Sequence, residues 1–433
     1  MEELCVTKSN GSLVPACAPT PVEMLHLSRI DRLPALRCNA RTLHVFEAIG
    51  PPGAAHSIIR QALSKALVPY YPLAGRLNHH HHHHLQVQCT GEGVWFVEAS
   101  ANCTLKSVGY FEDVTSIPFE KLLPHNPPQT QPIDPLVLMQ VTEFEGDGFV
   151  MGLTFCHTIC DGLGAAQFLN AIGEFARGAN QLTIPPVWHR NFLPDQPQTI
   201  LTNSTPPPPP PAADNYYELE QANIDIPLHH INQLKQQFLG STFEIVAAIL
   251  WRNRTQAIFS SLGSENRSMM KLVFFANCRH LVEPPLPKGF YGNCFFPVTI
   301  SANSDTLAQA GIGEVVKMIQ EAKANLLKQF ADWVNHHHHH VIINKEEEKE
   351  DPFAPALGYS TLFVSEWGKL GFNQVDYGKG PPLHVVPMQG SSIIPVAILG
   401  TMPRPNKGIR VMTWCLHNTH LQPFLNAITP PNY

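Results

Sequence analysis

The segment Phe155-Cys156-His157-Thr158-Ile159-Cys160-Asp161-Gly162 sets an imidazole and a carboxylate four residues apart. Such a pair can act as a general base and its fixed companion. An unperturbed imidazole titrates near pH ~6.5, so it is largely neutral and proton-accepting in a neutral compartment. A carboxylate anchored close by can hold local geometry while the ring faces a cleft. The same spacing also fits a hydrogen-bonded core histidine and a helix-capping aspartate. Cys156 and Cys160 flank the histidine and offer a cysteine nucleophile as a rival, although neighbours along a strand point to opposite faces.

The elements around this segment decide where the ring points. Pro135 to Phe144 and Phe149 to Phe155 are apolar, β-branched-rich runs separated by Glu145-Gly146-Asp147-Gly148, the composition of a hairpin turn. His157 therefore closes a strand. Downstream, Ala165, Phe168, Leu169, Ile172, Phe175 and Ala176 recur at helical spacing until Arg177-Gly178, which predicts an amphipathic helix with a glycine stop. Asp161 and Gly162 fall in the turn between strand and helix.

With its surroundings, this stretch resembles the plant BAHD acyltransferases, which use acyl-coenzyme A to acylate alcohols and amines. His26-Leu27-Ser28-Arg29-Ile30-Asp31 is similar to the family's "LS-x-x-D" opening, and Leu67 to Leu77 to its "yYPlAGRl" signature. Later, Asn277-Cys278-Arg279 resembles "D-x-R", Gly289-Phe290-Tyr291-Gly292-Asn293 resembles "GYfGN", and Val375-Asp376-Tyr377-Gly378-Lys379-Gly380 stands where the family carries "DFGWG". The departures are Asn277 for aspartate, Tyr377 for phenylalanine and Lys379 for tryptophan.

The resemblance implies an α/β fold of two chloramphenicol-acetyltransferase-like domains, each a mixed sheet with flanking helices, with a solvent channel between them passing the histidine. It implies acyl-coenzyme A as co-substrate, with no tightly bound cofactor, and His157 as the base that takes the acceptor's proton as the C–O bond forms. Such a base contributes ~10²–10⁴ in rate. Ser365 and Trp367, in a "T/S-x-W"-like element, would stabilise the oxyanion, a role worth about 10²–10³ in turnover per donor. Asp161 would pair with Arg279 away from the substrate, while Asp376, Gly378, Gly380 and Asn293 would hold loop shape. Tyr377 and Lys379 would lie on the coenzyme side, where a lysine would meet a phosphate. Collapse of the intermediate expels the thiolate directly, so no acyl-enzyme is needed and kinetics should be sequential. The stretches Gly164 to Gly178 and Pro185 to Trp188 look most like the branch with benzyl-alcohol benzoyltransferases and taxane acyltransferases, which suggests an acetyl or benzoyl donor and a hydrophobic alcohol. An amine acceptor, or a family member retained for binding or regulation, stays in view.

Composition bounds these readings. The chain has 433 residues with 44% hydrophobic content, ample for two cores. Net charge is −6 with no long basic block, which disfavours nucleic acid and anionic membranes as partners. Ten cysteines lack paired zinc spacing, and Met1-Glu2-Glu3-Leu4 lacks the basic-then-apolar pattern of a signal peptide, so a reducing cytosol is expected; a monomer is expected as well. No run of about 18 uninterrupted apolar residues occurs, so no transmembrane helix is expected.

Low-complexity tracts mark loops. The run His79 to His84 is expected at a hairpin tip before a strand at Leu85 to Cys89, and a second run covers His336 to His340. Homopolymeric imidazoles bind divalent ions loosely, so no metal site is expected from either. Pro206 to Pro211 predicts an extended spacer, dividing the chain into residues 1–195, a crossover over 196–224, and 225–433. Beyond it, Ser241-Thr242-Phe243-Glu244 has capping-box spacing and opens a helix through Arg252, whose N-terminus makes Ser241 and Thr242 a candidate anion site for the coenzyme. One long helix is predicted from Ile312 to Phe330. Strands are predicted at Met270 to Phe275, Thr361 to Ser365, Ile393 to Met402 and Ile409 to Leu416.

Overall fold

The computed structural model describes residues 3–79, 85–128, 134–146, 148–193, 218–262, 268–336, 351–388 and 394–428. The proline tract, nearly all of both histidine tracts and most of the expected crossover lie outside these.

Two large sheets form the frame. The first runs, edge to edge, through Val6–Lys8, Val94–Ala101, Val137–Glu143, Gly148–Cys156, Asn39–Glu47 and His384–Pro387, with Ser12–Val14 also on Val94–Ala101. The expected hairpin is its centre: Val137 pairs with Phe155, and Phe144 donates across the turn to the Gly148 carbonyl at 2.9 Å. Every residue of Gly148–Cys156 is buried, because helices Ala54–Ala66 and Gly162–Ala176 cover one face and the second domain closes the other. A small sheet of Met24–His26, Leu85–Gln88 and Arg76–His79 flanks it.

The second sheet runs Glu220–Pro227, Gly408–Leu416, Val396–Thr401, Thr361–Glu366, Met269–Asn277 and Phe295–Asn303. Behind it lies the helix Thr242–Leu262, whose residues Ile245 to Trp251 are all buried, so over these two turns it is apolar around its whole girth, as a core segment must be. The capping box is present: Ser241 N–H donates to Glu244 Oε2 at 2.9 Å and Glu244 N–H to Ser241 Oγ at 3.3 Å.

Two features depart from expectation. The single helix over 312–330 is two, Ile312–Ala324 and Leu326–His336, divided at Asn325, whose side-chain amide donates to the Glu321 carbonyl at 3.1 Å alongside its own backbone N–H at 3.2 Å. The sheets also do not divide the chain cleanly. Strand His384–Pro387, from the second half, pairs antiparallel with Asn39–Glu47 and completes the edge of the first sheet. Between the sheets, Leu43, Val45 and Val386 pack against Ile398, Met412 and Trp414 in one shared apolar layer.

Candidate active site

His157 sits one residue past the strand Gly148–Cys156, at the seam of the two domains. Its N–H donates to the Cys38 carbonyl at 2.9 Å. Its ring lies between Phe155, with centroids 6.2 Å apart, and Phe295, which stands edge-on at 6.4 Å. Ring Nδ1 is shut off from water without a well-formed hydrogen bond. Burial pushes the imidazole's pKa down; its own backbone carbonyl, Asp161 and the Asn293 side chain pull the other way without overcoming it. The ring is therefore neutral at neutral pH, the state a base requires.

The turn that carries His157 is clamped from below by two buried ion pairs. Asp161 caps the helix Gly162–Ala176 through the Gly164 N–H at 3.0 Å and takes Arg279 Nη2 at 2.8 Å. Burial alone would raise its carboxyl; Arg279 and the N–H groups of Gly164 and Cys294 outweigh that and hold it below the usual range. The capping reading and the pairing with Arg279 thus describe the same carboxylate. Asn277, standing for the family's aspartate, still accepts from the Arg279 N–H at 3.1 Å and from its guanidinium at 3.3 Å, so the replacement leaves that arginine supported.

The second clamp is Asp31 with Arg190. Arg190 Nη1 meets both Asp31 oxygens, at 2.9 and 2.8 Å, and its Nη2 donates to the Ile159 carbonyl at 2.7 Å. Asn293 joins them, its amide donating to Asp31 at 2.7 Å and to the His157 carbonyl at 2.9 Å. Glycine is required where these segments meet: a Cβ on Gly164 would run into the Tyr291 carbonyl, and one on Gly292 into the Arg190 guanidinium. Sequence reading missed Arg190. It lies 159 positions from its partner, and its only local signal is a lone charge close to the aromatic Trp188 and Phe192.

Ser365 and Trp367 lie together at the end of Thr361–Glu366. The indole N–H donates to Ser365 Oγ at 3.1 Å and the indole stacks on Phe372 at 5.5 Å. This leaves the Ser365 proton free to donate elsewhere, while the indole's own donor is engaged. Cys156 and Cys160 are buried thiols; burial pushes Cys156 up to about 11 and Cys160 well above its ordinary value, so neither is a ready thiolate.

The remaining expectations fare differently. Asp376 holds its loop by accepting from the N–H groups of Gly378 and Gly380 at 2.7 and 2.8 Å, both glycines having positive φ. The loop packs on the far end of Gly162–Ala176, where Arg177 donates to the Asp376 carbonyl. Gly173, which that loop abuts, is roughly 18 Å along the helix axis from Asp161. Tyr377 does not face a coenzyme: it is 2% exposed, edge-on to Phe46 at 5.1 Å, with its hydroxyl on the Met151 sulfur at 3.3 Å. Its extra oxygen is accommodated inside the first core. Lys379 is exposed and lines a cavity of about 530 Å³ with Glu47, Glu112, His384 and Arg404, a cavity that His157 does not line. Ser241 and Thr242 offer no anion site either. The Glu244 carboxylate already occupies that helix end, with Lys323 closing on it, so a phosphate would meet like charge. Among the described residues no group of three His, Cys, Asp or Glu could hold a metal ion.

Over residues 4–428 the chain matches the family model described as Transferase family. It is 40% identical to Acyl transferase 4 of Oryza sativa subsp. japonica, with 98% of each chain covered. The chain belongs to the BAHD acyltransferase family. Another BAHD relative is the 3'-N-debenzoyl-2'-deoxytaxol N-benzoyltransferase of Taxus canadensis, 34% identical over 97% of this chain and 94% of that one. Among solved structures, TRI101 of F. sporotrichioides, complexed with coenzyme A and T-2, shares the fold at a TM-score of 0.72 and 14% identity, covering 95% of this chain and 98% of that chain. The two-sheet arrangement described above is thus the chloramphenicol-acetyltransferase-like fold of these enzymes.

Proposed function

We propose that this chain moves an acyl group from acyl-coenzyme A to the hydroxyl of a small hydrophobic acceptor, with His157 as general base. His157 takes the hydroxyl proton as oxygen attacks the thioester carbonyl. The Ser365 hydroxyl, held by Trp367, donates to the oxygen that becomes negative. The tetrahedral intermediate then expels the thiolate, which receives the imidazolium proton, so atoms and charge balance without an acyl-enzyme. Asp161, Arg279, Asp31, Arg190 and Asn293 position the turn and touch no substrate. The observation that carries the reading is His157 itself: a partly buried imidazole on a doubly clamped turn at the domain seam, its ring held between Phe155 and Phe295.

Coenzyme A enters as co-substrate with no tightly bound cofactor, consistent with its presence in the TRI101 complex. The reading takes the protein as a cytosolic monomer with the domain division given above, and no helix among the described residues is long and apolar enough to cross a membrane. The likeness to an N-benzoyltransferase favours a second reading, in which an amine replaces the alcohol. Incubating acyl-coenzyme A donors with alcohols and amines, and reading product by mass spectrometry, separates the two. The His157→Ala variant, confirmed folded, should lose ester or amide product; undiminished product ends the proposal.

A further inference from the structure

Strand Met269–Asn277 is internal to the second sheet, hydrogen-bonded on both sides, yet Phe275 within it leaves 46% of its surface exposed. Its neighbours are aromatic. Phe295 stands edge-on to it at 5.5 Å, and Phe363 lies nearly parallel at 6.4 Å. Phe295 in turn stands edge-on to His157 at 6.4 Å, so a continuous run of rings leads from the base to Phe275.

The direction of this face follows from the register. Ser365 pairs with Ile398 and Ile398 with Met412, and these two apolar residues pack on Leu43 and Val45 of the first sheet. The parallel pairing of Met269–Asn277 with Thr361–Glu366 runs to Phe274 with Val364, so Phe275 and Ser365 are next in register and share that face. Phe275 therefore points between the domains. A large aromatic half-exposed on an internal strand and facing inward is the wall of a binding cleft, since strand interiors otherwise bury such rings.

We infer that Phe275, flanked by Phe295 and Phe363, forms an acyl subsite that selects an aromatic acyl group. This rests on the reading of His157 and Ser365 given above. With the thioester oxygen on Ser365, the acyl substituent is a single bond from the carbonyl carbon and must lie against Ser365's neighbours on that face. A flat ring there completes an edge-to-face and stacked cluster, the geometry aromatic pairs favour, whereas an acetyl methyl leaves the Phe275 ring uncovered.

The test compares benzoyl- and acetyl-coenzyme A, each with benzyl alcohol and with hexan-1-ol, in the parent, Phe275→Ala, Phe275→Leu and Phe275→Tyr. Loss of the ring should lower kcat/KM for benzoyl-coenzyme A about 10-fold with either acceptor and leave acetyl transfer within about 2-fold, while Phe275→Tyr retains the preference. Equal effects on both donors, no effect on either, or a loss that follows benzyl alcohol instead of the benzoyl donor overturns the inference. Calorimetric binding of the two donors to His157→Ala separates this from failure of the base. A benzoyl preference that Phe275→Ala abolishes there supports the subsite whatever the turnover, and no preference overturns it.

Discussion

Arg279 reaches back 118 positions to donate from Nη2 to Asp161 at 2.8 Å, and the same nitrogen donates to the Gly292 carbonyl at 2.7 Å. One guanidinium thus ties the turn after His157 to the loop that supplies Asn293. Their side chains are only 14% and 12% exposed, so removing either partner strands a buried charge. Asp161→Ala is expected to lose roughly 3–5 kcal/mol of stability, read as a lower urea midpoint at unchanged slope. A variant as stable as the parent but inactive would instead give Asp161 a chemical role.

Asp31 and Arg190 should behave as a unit. Asp31→Asn and Arg190→Met are each expected to destabilise, and the double variant to cost less than their sum, with a coupling of about 0.5–3 kcal/mol. Additive losses in denaturant titrations would mean that the two clamp the turn independently.

The depressed imidazole of His157 fixes the acid limb of activity. Because the base is neutral above its pKa, and burial sets that pKa below the ordinary value, kcat/KM should persist to pH values below ~6.5 before falling. Phe295→Ala, which opens the ring to water, should move the limb back up. A limb at or above the ordinary imidazole value in the parent would contradict a buried base.

Acid sensitivity of the fold should come first from two other histidines. Burial holds His44 at about 3, and burial with the nearby Arg410 charge holds His384 at about 3. In the unfolded chain both titrate near ~6.5, so between these values the unfolded state binds the extra protons. Stability should fall with falling pH by about 1.4 kcal/mol per unit for each. Thermal midpoints measured from pH 7 to pH 4 check this, and His44→Gln should flatten the slope; an unchanged midpoint down to pH 5 would refute it.

Lys379→Trp, which restores the family's aromatic, should leave the KM for the donor within a factor of about two, because its loop sits at the opposite end of the helix that Asp161 caps. A markedly lower donor KM would bring that loop to the coenzyme.

The parts legible in the sequence were those written locally. Two apolar, β-branched-rich runs around a glycine-rich turn gave the hairpin before His157, the helical spacing gave Gly162–Ala176, and Ser241 to Glu244 announced a capping box that the structure contains. The Asp161–Arg279 pair was reached through family resemblance, since nothing local links residues so far apart. Long-range effects stayed hidden for the same reason. No pattern within four residues tells which sheet His384–Pro387 will join, nor does a lone arginine reveal that it will meet Asp31. The resemblance puts Tyr377 on the coenzyme side, yet in the loop shaped by the positive-φ Gly378 and Gly380 its ring turns into the core.

The return of His384–Pro387 to the first sheet has a consequence for separability. A fragment cut after the first half would present the bare edge of Asn39–Glu47, a row of unpaired backbone groups open to any passing strand. The remaining fragment would carry an orphan segment with nothing to pair. The two halves are therefore obligate companions, and the molecule should melt in one transition even though it is built around two cores.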